Sequence, residues 1–187
     1  FTVASKLGVQ NTKHLAQVFK GKLQEIINHT LSQTRAYLTV SDVGNIIRQE
    51  YLDKLQAARE IEGIYLANSL QQGFIYHALN QGDVDDAYLV QMIWEYNTYI
   101  DTDKLRQAWG LAQNRYSALR LRLAWEEELV QVIDKISNLD WRYIDLSEDL
   151  DEKEQQELSI KRIQTADRLE RYSLEKGGLF RIYMIKR

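Results

Sequence analysis

From residue 87 to the end of the chain, the spacing of hydrophobic residues switches repeatedly between a period of two and a period of three to four. That switching restricts the chain to folds that layer helices on a sheet. Tyr88, Val90, Met92, Trp94 and Tyr96 alternate with Leu89, Gln91, Ile93 and Glu95. With apolar residues in both sets, residues 87–97 predict an interior strand covered on both faces. Asp101 or Thr102 then caps a helix whose buried stripe is Leu105, Ala108, Trp109, Ala112 and Tyr116. Leu119, Leu121, Leu123 and Trp125 alternate with Arg120, Arg122 and Ala124, turn through Glu126-Glu127-Glu128, and return through Leu129 to Ile133 as a hairpin. Trp141 to Leu146 is a further short strand. Residues 148–171 form a charged helix with Ile160, Ile163 and Leu169 as a thin apolar stripe, and Leu179 to Lys186 a last strand after Gly177-Gly178. This order predicts an α/β two-layer sandwich with a mixed sheet.

Helices precede that region. Leu15, Phe19, Leu23, Ile26 and Ile27 share one face of a helix over residues 12–33, with Asn11 or Thr12 as its cap. Residues 46–60 are helical again, with Ile47, Tyr51, Leu55 and Ala58 in register, and the main boundary falls near residues 42–61. Ser69 begins the next helix. Its hydroxyl and the Gln72 amide three residues on have capping-box spacing, Leu70, Phe74 and Ala78 share a face, and Gln81-Gly82-Asp83 ends the helix.

Several functional classes are excluded or disfavoured. A net charge of -3 argues against a general nucleic-acid binder. No apolar run reaches the about 18 residues of a membrane span. The chain opens Phe1-Thr2-Val3-Ala4 with no initiator Met and no charged-then-apolar leader, so its start reads as a boundary inside a longer polypeptide. It contains no cysteine, which removes disulfides, thiolate metal sites and cysteine nucleophiles and fits a cytoplasmic setting. Three scattered histidines do not make a metal site, and the absence of proline excludes proline-rich linkers.

The acidic groups at 126–128 and 148–154 read as a solvated turn and a helix start, where carboxylates complement the helix dipole. Gly177-Gly178 precedes a strand, the wrong context for a phosphate loop. His77 could act as a base near neutrality, but no orienting carboxylate accompanies it in sequence; a surface or satisfied histidine is the plainer reading. His14 and His29 lie in the leading helix. Trp94, Trp109, Trp125 and Trp141 read as core rather than as a stacking platform. Arg120 and Arg122 share the strand face opposite the leucines. Each can lie at the surface at no cost, or be buried beside a carboxylate that compensates its charge; the sequence leaves both open.

Three stretches in order resemble the condensation domains of non-ribosomal peptide synthetases. Ile64-Tyr65-Leu66-Ala67-Asn68-Ser69-Leu70-Gln71-Gln72-Gly73-Phe74-Ile75-Tyr76-His77-Ala78-Leu79 is similar to the family's first motif, Tyr-Pro-Leu-Ser-Pro-Met-Gln-x-Gly-Met-Leu-Phe-His. It keeps Tyr65, Gln71, Gly73 and His77 and replaces both prolines, with Leu66 and Ser69. Arg115-Tyr116-Ser117-Ala118-Leu119-Arg120 resembles the second motif, Arg-His-Glu-x-Leu-Arg, without its His-Glu pair. Tyr172-Ser173-Leu174 through Gly178-Leu179-Phe180-Arg181 is similar to the Phe-Asp-Leu…Pro-Leu-Phe-Arg segment. Upstream, Phe19 to His29 followed by Leu38-Thr39-Val40-Ser41-Asp42 looks like the end of an epimerization domain, with Thr30, Val40 and Val43 in place of that family's Cys, Pro and Phe.

The resemblance implies a layout. Residues 1–42 would end an epimerization-like domain, 43–60 would be a linker helix, and 61–187 would begin a condensation domain as one lobe of a chloramphenicol-acetyltransferase-like fold. It implies peptide-bond formation between thioesters carried on phosphopantetheine arms of carrier protein domains, with no cofactor bound directly. The other expected partners are the upstream and downstream synthetase domains, without nucleic acid or membrane. The family's His-His-x-x-x-Asp-Gly motif does not occur in this sequence, so the chain by itself is expected to be inactive. Arg120, with Arg115 second, is expected to support the active site by pairing with the aspartate of that motif. Ser69, Gln71, Gly73 and His77 are the residues of the motif helix. On this basis Arg120→Ala is expected to be nearly neutral in the chain alone. Two other readings stand beside this one: a non-catalytic linker and docking module, and a lobe of a free-standing acyltransferase of the same fold.

Overall fold

The computed structural model describes residues 8–80, 88–147 and 153–187. The chain divides into two compact units, Phe1–Ala36 and Tyr37–Arg187.

Among its described residues the first unit carries one helix, α1 (Val9–Ser32), with no buried residue. Leu15, Phe19, Leu23, Ile26 and Ile27 fall on one face as their spacing requires, and all are exposed. The cap differs from expectation. Gly8, with φ 72, precedes the first turn, and the Thr12 hydroxyl donates back to the Gly8 carbonyl at 2.9 Å. Thr12 lies inside the helix because its hydroxyl can bond a carbonyl four residues back as readily as it can cap.

In the second unit, β1 (Ile61–Leu66), β2 (Leu121–Ala124) and β3 (Val130–Asp134) form an antiparallel sheet in the order β1-β3-β2. The hairpin joining β2 to β3 has the expected register, Leu121 opposite Ile133 and Ala124 opposite Val130. Both faces of this sheet are covered. Ile64, Ala124, Val130 and Val132 pack with Val43, Ile47, Tyr51 and Leu52, the last three from and just before α2 (Gln49–Gln56). On the opposite face Leu123 packs with Ala67 and with Ile75 of α3 (Ser69–Asn80). The stretch 43–60, expected to link, therefore supplies one side of the core. Its helix is shorter than the expected 46–60, because Arg48 caps it with an extended conformation and donates its backbone N–H to Glu127 Oε2 at 3.0 Å.

α4 (Thr102–Arg115) begins at Asp101, whose carboxylate accepts from the Lys104 backbone N–H at 3.1 Å, one of the two caps expected. β4 (Asp140–Asp145) and β5 (Arg181–Lys186) form a separate parallel pair, with α5 (Lys153–Leu169) in the crossover between them. The chain is thus mixed α/β, and the strands among its described residues divide between an antiparallel three and a parallel two.

Residues 88–97 are not a strand. Val90 is 80% and Trp94 61% exposed, against the expectation of an interior position. Alternation fixes only which side chains share a face; a strand also needs a neighbouring backbone to bond. Among the described residues this segment is tied by side chains instead. The Gln91 amide donates to Gln164 O at 3.2 Å and to Asp167 Oδ2 at 2.6 Å, and Arg187 meets Glu95 at 3.4 Å. Ala87, the turn at Gln81-Gly82-Asp83 and the start of the acidic helix at 148–152 lie outside the described residues.

Candidate functional site

The hairpin brings Arg120 and Arg122 to one end of the three-stranded sheet, and both are buried, at 5% and 7% exposure. Arg120 closes a 3-10 turn (Ser117–Arg120) between α4 and β2, so the strict alternation expected from Leu119 begins only at Leu121. The turn is held by Gln113, whose side-chain amide donates to Leu119 O and to Ser137 Oγ. From that turn the Arg120 guanidinium enters a nest of acceptors. Nε donates to Gln113 O at 3.1 Å; Nη1 donates to Glu62 Oε2 at 2.7 Å, to Lys135 O at 3.2 Å and to Asp134 O. Among the described residues Nη2 makes no hydrogen bond.

Arg122 lies two residues further, within β2, on the face turned toward α2. Its Nε donates to Asp134 Oδ1 at 2.9 Å and its Nη2 to Leu55 O at 2.8 Å. Asp134, 3% exposed, also accepts from Arg59 Nη1 at Oδ2, 3.0 Å away. Arg59 then donates to Lys176 O at 2.6 Å. This fixes the 172–178 loop against β2, where Leu123 donates its backbone N–H to Leu174 O at 2.8 Å. Gly177 is required there: its φ is +74, and a Cβ would stand 3.3 Å from Arg122 Cβ. A buried arginine is tolerable only with such compensation, and Asp134 and Glu62 provide it from within the chain. The surface alternative for both arginines is excluded, and the near-neutrality expected for Arg120→Ala is overturned with it.

The other expected residues are distributed differently. Arg115 sits in the last turn of α4, exposed, its guanidinium 5.9 Å from the centre of the Tyr116 ring. Ser69 is not the cap of α3. Asn68 is: its Oδ1 accepts from the Gln71 backbone N–H, and Gln71 Oε1 accepts from the Asn68 N–H, both at 2.9 Å. The box is the expected device displaced by one residue, because asparagine caps at least as well as serine. Gln72 instead donates to Ala67 O at 2.9 Å. The shift also rotates the buried face: Gln71 and Ile75 are buried, while Leu70 is 62% exposed. Gln71 reaches the sheet, donating to Gln131 Oε1 at 3.1 Å, and Gln131 donates to Leu66 O at 3.2 Å. Gly73 lies on the same helix with room beside it, the Tyr88 hydroxyl 4.0 Å from where a Cβ would stand. His77 meets the edge of the Tyr88 ring at 5.2 Å, beside Phe74 at 4.8 Å.

Asp134, Glu62 and Arg59 complete the arginine cluster and were not singled out by sequence. Asp134 had one signal: extending the hairpin register past Leu121 and Ile133 sets it beside Arg120. Glu62 and Arg59 had none, since Glu62 arrives from β1 and Arg59 from the bend just before it, 58 and 75 residues from their partners.

A second ionic group ties α5 to the parallel strands. Arg142 forks onto Asp140 and Glu170, Arg181 bonds Asp167 and Glu170, and the Arg181 guanidinium lies 4.4 Å from the centre of the Tyr172 ring. The hydrogen bonds from Arg142 hold the Glu170 carboxyl down at about 2. Lys186 and Ser147 hold Asp145 well below the usual carboxylate range. Among the described residues, no group of three His, Asp or Glu could hold a metal ion, and no helix is long and apolar enough to cross a membrane.

A family profile described as condensation domain matches residues 61–187. The chain is 37% identical over 161 residues, 82% of its length, to N-(5-amino-5-carboxypentanoyl)-L-cysteinyl-D-valine synthase of Penicillium rubens. It is 46% identical over 122 residues, 65% of its length, to the synthase of the same name from Amycolatopsis lactamdurans. It is 30% identical over 172 residues, 89% of its length, to bacitracin synthase 3 of Bacillus licheniformis. The matched parts are 4%, 3% and 3% of those proteins' lengths.

Proposed function

Given that this chain belongs to the condensation-domain family of non-ribosomal peptide synthetases, we propose that residues 61–187 form the first lobe of a chloramphenicol-acetyltransferase-like condensation domain that joins two carrier-bound substrates through a peptide bond. In that reaction the α-amine of the acceptor attacks the thioester carbonyl of the donor. The carbon–sulfur bond breaks, the amine loses a proton, and the donor's phosphopantetheine thiol is released. Both substrates arrive tethered to carrier domains, and holding two reactants in line can contribute about 7–11 kcal/mol to such a step. Residues 1–42 would end an epimerization-like domain upstream, with 43–60 joining the two while packing on the sheet.

The observation that carries this reading is Arg120. It matches the last arginine of the second motif, it is buried, and its Nη2 has no acceptor among the described residues. A guanidinium fixed on one side and open on the other suits an arginine that holds a catalytic loop by its aspartate. Arg115, exposed at the end of α4, is the weaker candidate for that role. Ser69, Gln71, Gly73 and His77 would shape the lobe's first helix, with Gln71 fastening it to β3.

The test uses the parent synthetase. Arg120→Lys should abolish peptide product while amino-acid loading of the neighbouring carrier domains continues. Undiminished product would refute the reading. A protein of residues 1–187 alone, incubated with charged donor and acceptor carrier domains, should yield no product above background.

A further inference from the structure

Glu62 stands outside the β1–β3 pairing. Ile61 faces Asp134 and Gly63 faces Ile133, so one residue of β1 has no cross-strand partner, and that residue is Glu62. Such a bulge bends the strand and re-aims the side chain it releases. Here the released carboxylate meets Arg120 Nη1 at 2.7 Å, and among the described residues it is the only carboxylate that touches this guanidinium. The remaining Arg120 acceptors are the neutral carbonyls of Gln113, Asp134 and Lys135. Asp134, the nearest buried carboxylate, has both oxygens engaged by Arg122 and Arg59. The Arg120 side chain is 4% exposed and that of Glu62 50%, so Glu62 covers the guanidinium from the solvent side.

We infer that Glu62 is a positioning residue: its carboxylate neutralises Arg120 and locks Nη1 inward, so that Nη2 is presented to the aspartate of the catalytic loop. The inference rests on the role proposed for Arg120. A charged hydrogen bond fixes a planar guanidinium in both place and rotation. Without it the carbonyls would still bind the arginine but would leave its charge uncompensated, free to turn toward any other anion.

The experiment is Glu62→Gln and Glu62→Asp in the parent synthetase, with Arg120→Lys measured alongside. Glu62→Gln keeps the shape and one acceptor oxygen, and the side chain is half exposed, so the thermal melt should stay within a few degrees of the parent. Condensation kcat should fall about tenfold or more, the effect of losing one charge-assisted hydrogen bond, while KM for the carrier-bound substrates is unchanged. Glu62→Asp should recover part of the loss. Unchanged kcat in Glu62→Gln, with Arg120→Lys inactive, would overturn this inference and leave the proposed function standing. If Arg120→Lys were fully active, the reading beneath it would fail first. A fall in melting temperature that tracks kcat across the Glu62 variants would mark Glu62 as merely structural and overturn the inference too.

Discussion

The two sheets of this chain are held by different means. The antiparallel sheet has both faces covered, and Leu52, Val130 and Val132 are completely buried within its packing. The parallel pair has no buried residue in either strand, and none in α5 beside it. What fastens that region is the chain of ions from Asp140 through Arg142, Glu170 and Arg181 to Asp167. Apolar burial is short-ranged and cooperative, so the first region should open as one unit. The Arg181–Asp167 pair is largely buried, but the pairs of Arg142 with Asp140 and Glu170 are partly exposed; such pairs are weak individually and depend on salt and pH, so the second region should open in parts.

Hydrogen exchange gives the widest contrast. Amides of Val130 to Val132 should exchange only with global unfolding of the second unit, whereas those of Val90 to Trp94, which lack a sheet partner, should exchange almost freely. Comparable protection in both stretches would mean that residues 88–97 pair with a strand edge in solution.

Next in size is Asp134→Ala. It leaves Arg122 buried beside the apolar face without its carboxylate, and removing one partner of such a pair typically costs about 3–5 kcal/mol. A urea melt should show that loss across the whole antiparallel sheet. A loss below about 1 kcal/mol, the range of an exposed pair, would place this cluster in the same class as the ions of the parallel region. Gln71→Ala should cost less, about 1–3 kcal/mol, since it removes half of the capping box and leaves the Gln131 side chain without its donor.

The smallest effect lies in the parallel region. Glu170→Gln should change stability near pH 7 by no more than about 1 kcal/mol, because its carboxylate is nearly half exposed. Its signature is pH dependence. Arg142 lowers the carboxyl from 4.5 to about 2, so its contribution is complete above pH 4.5 and fades as pH falls toward 2. In an acid titration followed by exchange at β5, Glu170→Gln should flatten the slope in that window. An unaltered slope would show that other groups carry the acid sensitivity.

Local chemistry was legible in the sequence where one element carried all the partners. The hairpin read from Leu119 to Ile133, the cap read as Asp101 or Thr102, the described part of the charged helix, the two short strands and the break at Gly177-Gly178 follow from periodicity, capping residues and glycine within a few positions of one another. The capping box of α3 was legible as a device but misplaced by one residue, because Asn68 and Ser69 both cap and only packing of Gln71 and Ile75 on the sheet chooses between them. The motif order that marks the condensation-domain family is likewise a property of the sequence itself.

Tertiary structure decided the remainder. Whether residues 88–97 become a strand depends on a neighbouring backbone that no alternation can supply. That residues 43–60 cover one face of the sheet depends on which surface lies open beside Val43, Ile47 and Leu52. The burial of Arg120 and Arg122 turned on carboxylates brought from β1 and the far end of β3, by a bulge and a register that no single segment encodes. Hydrogen-bond periodicity and capping are local in sequence; the compensation of a buried charge is local only in space.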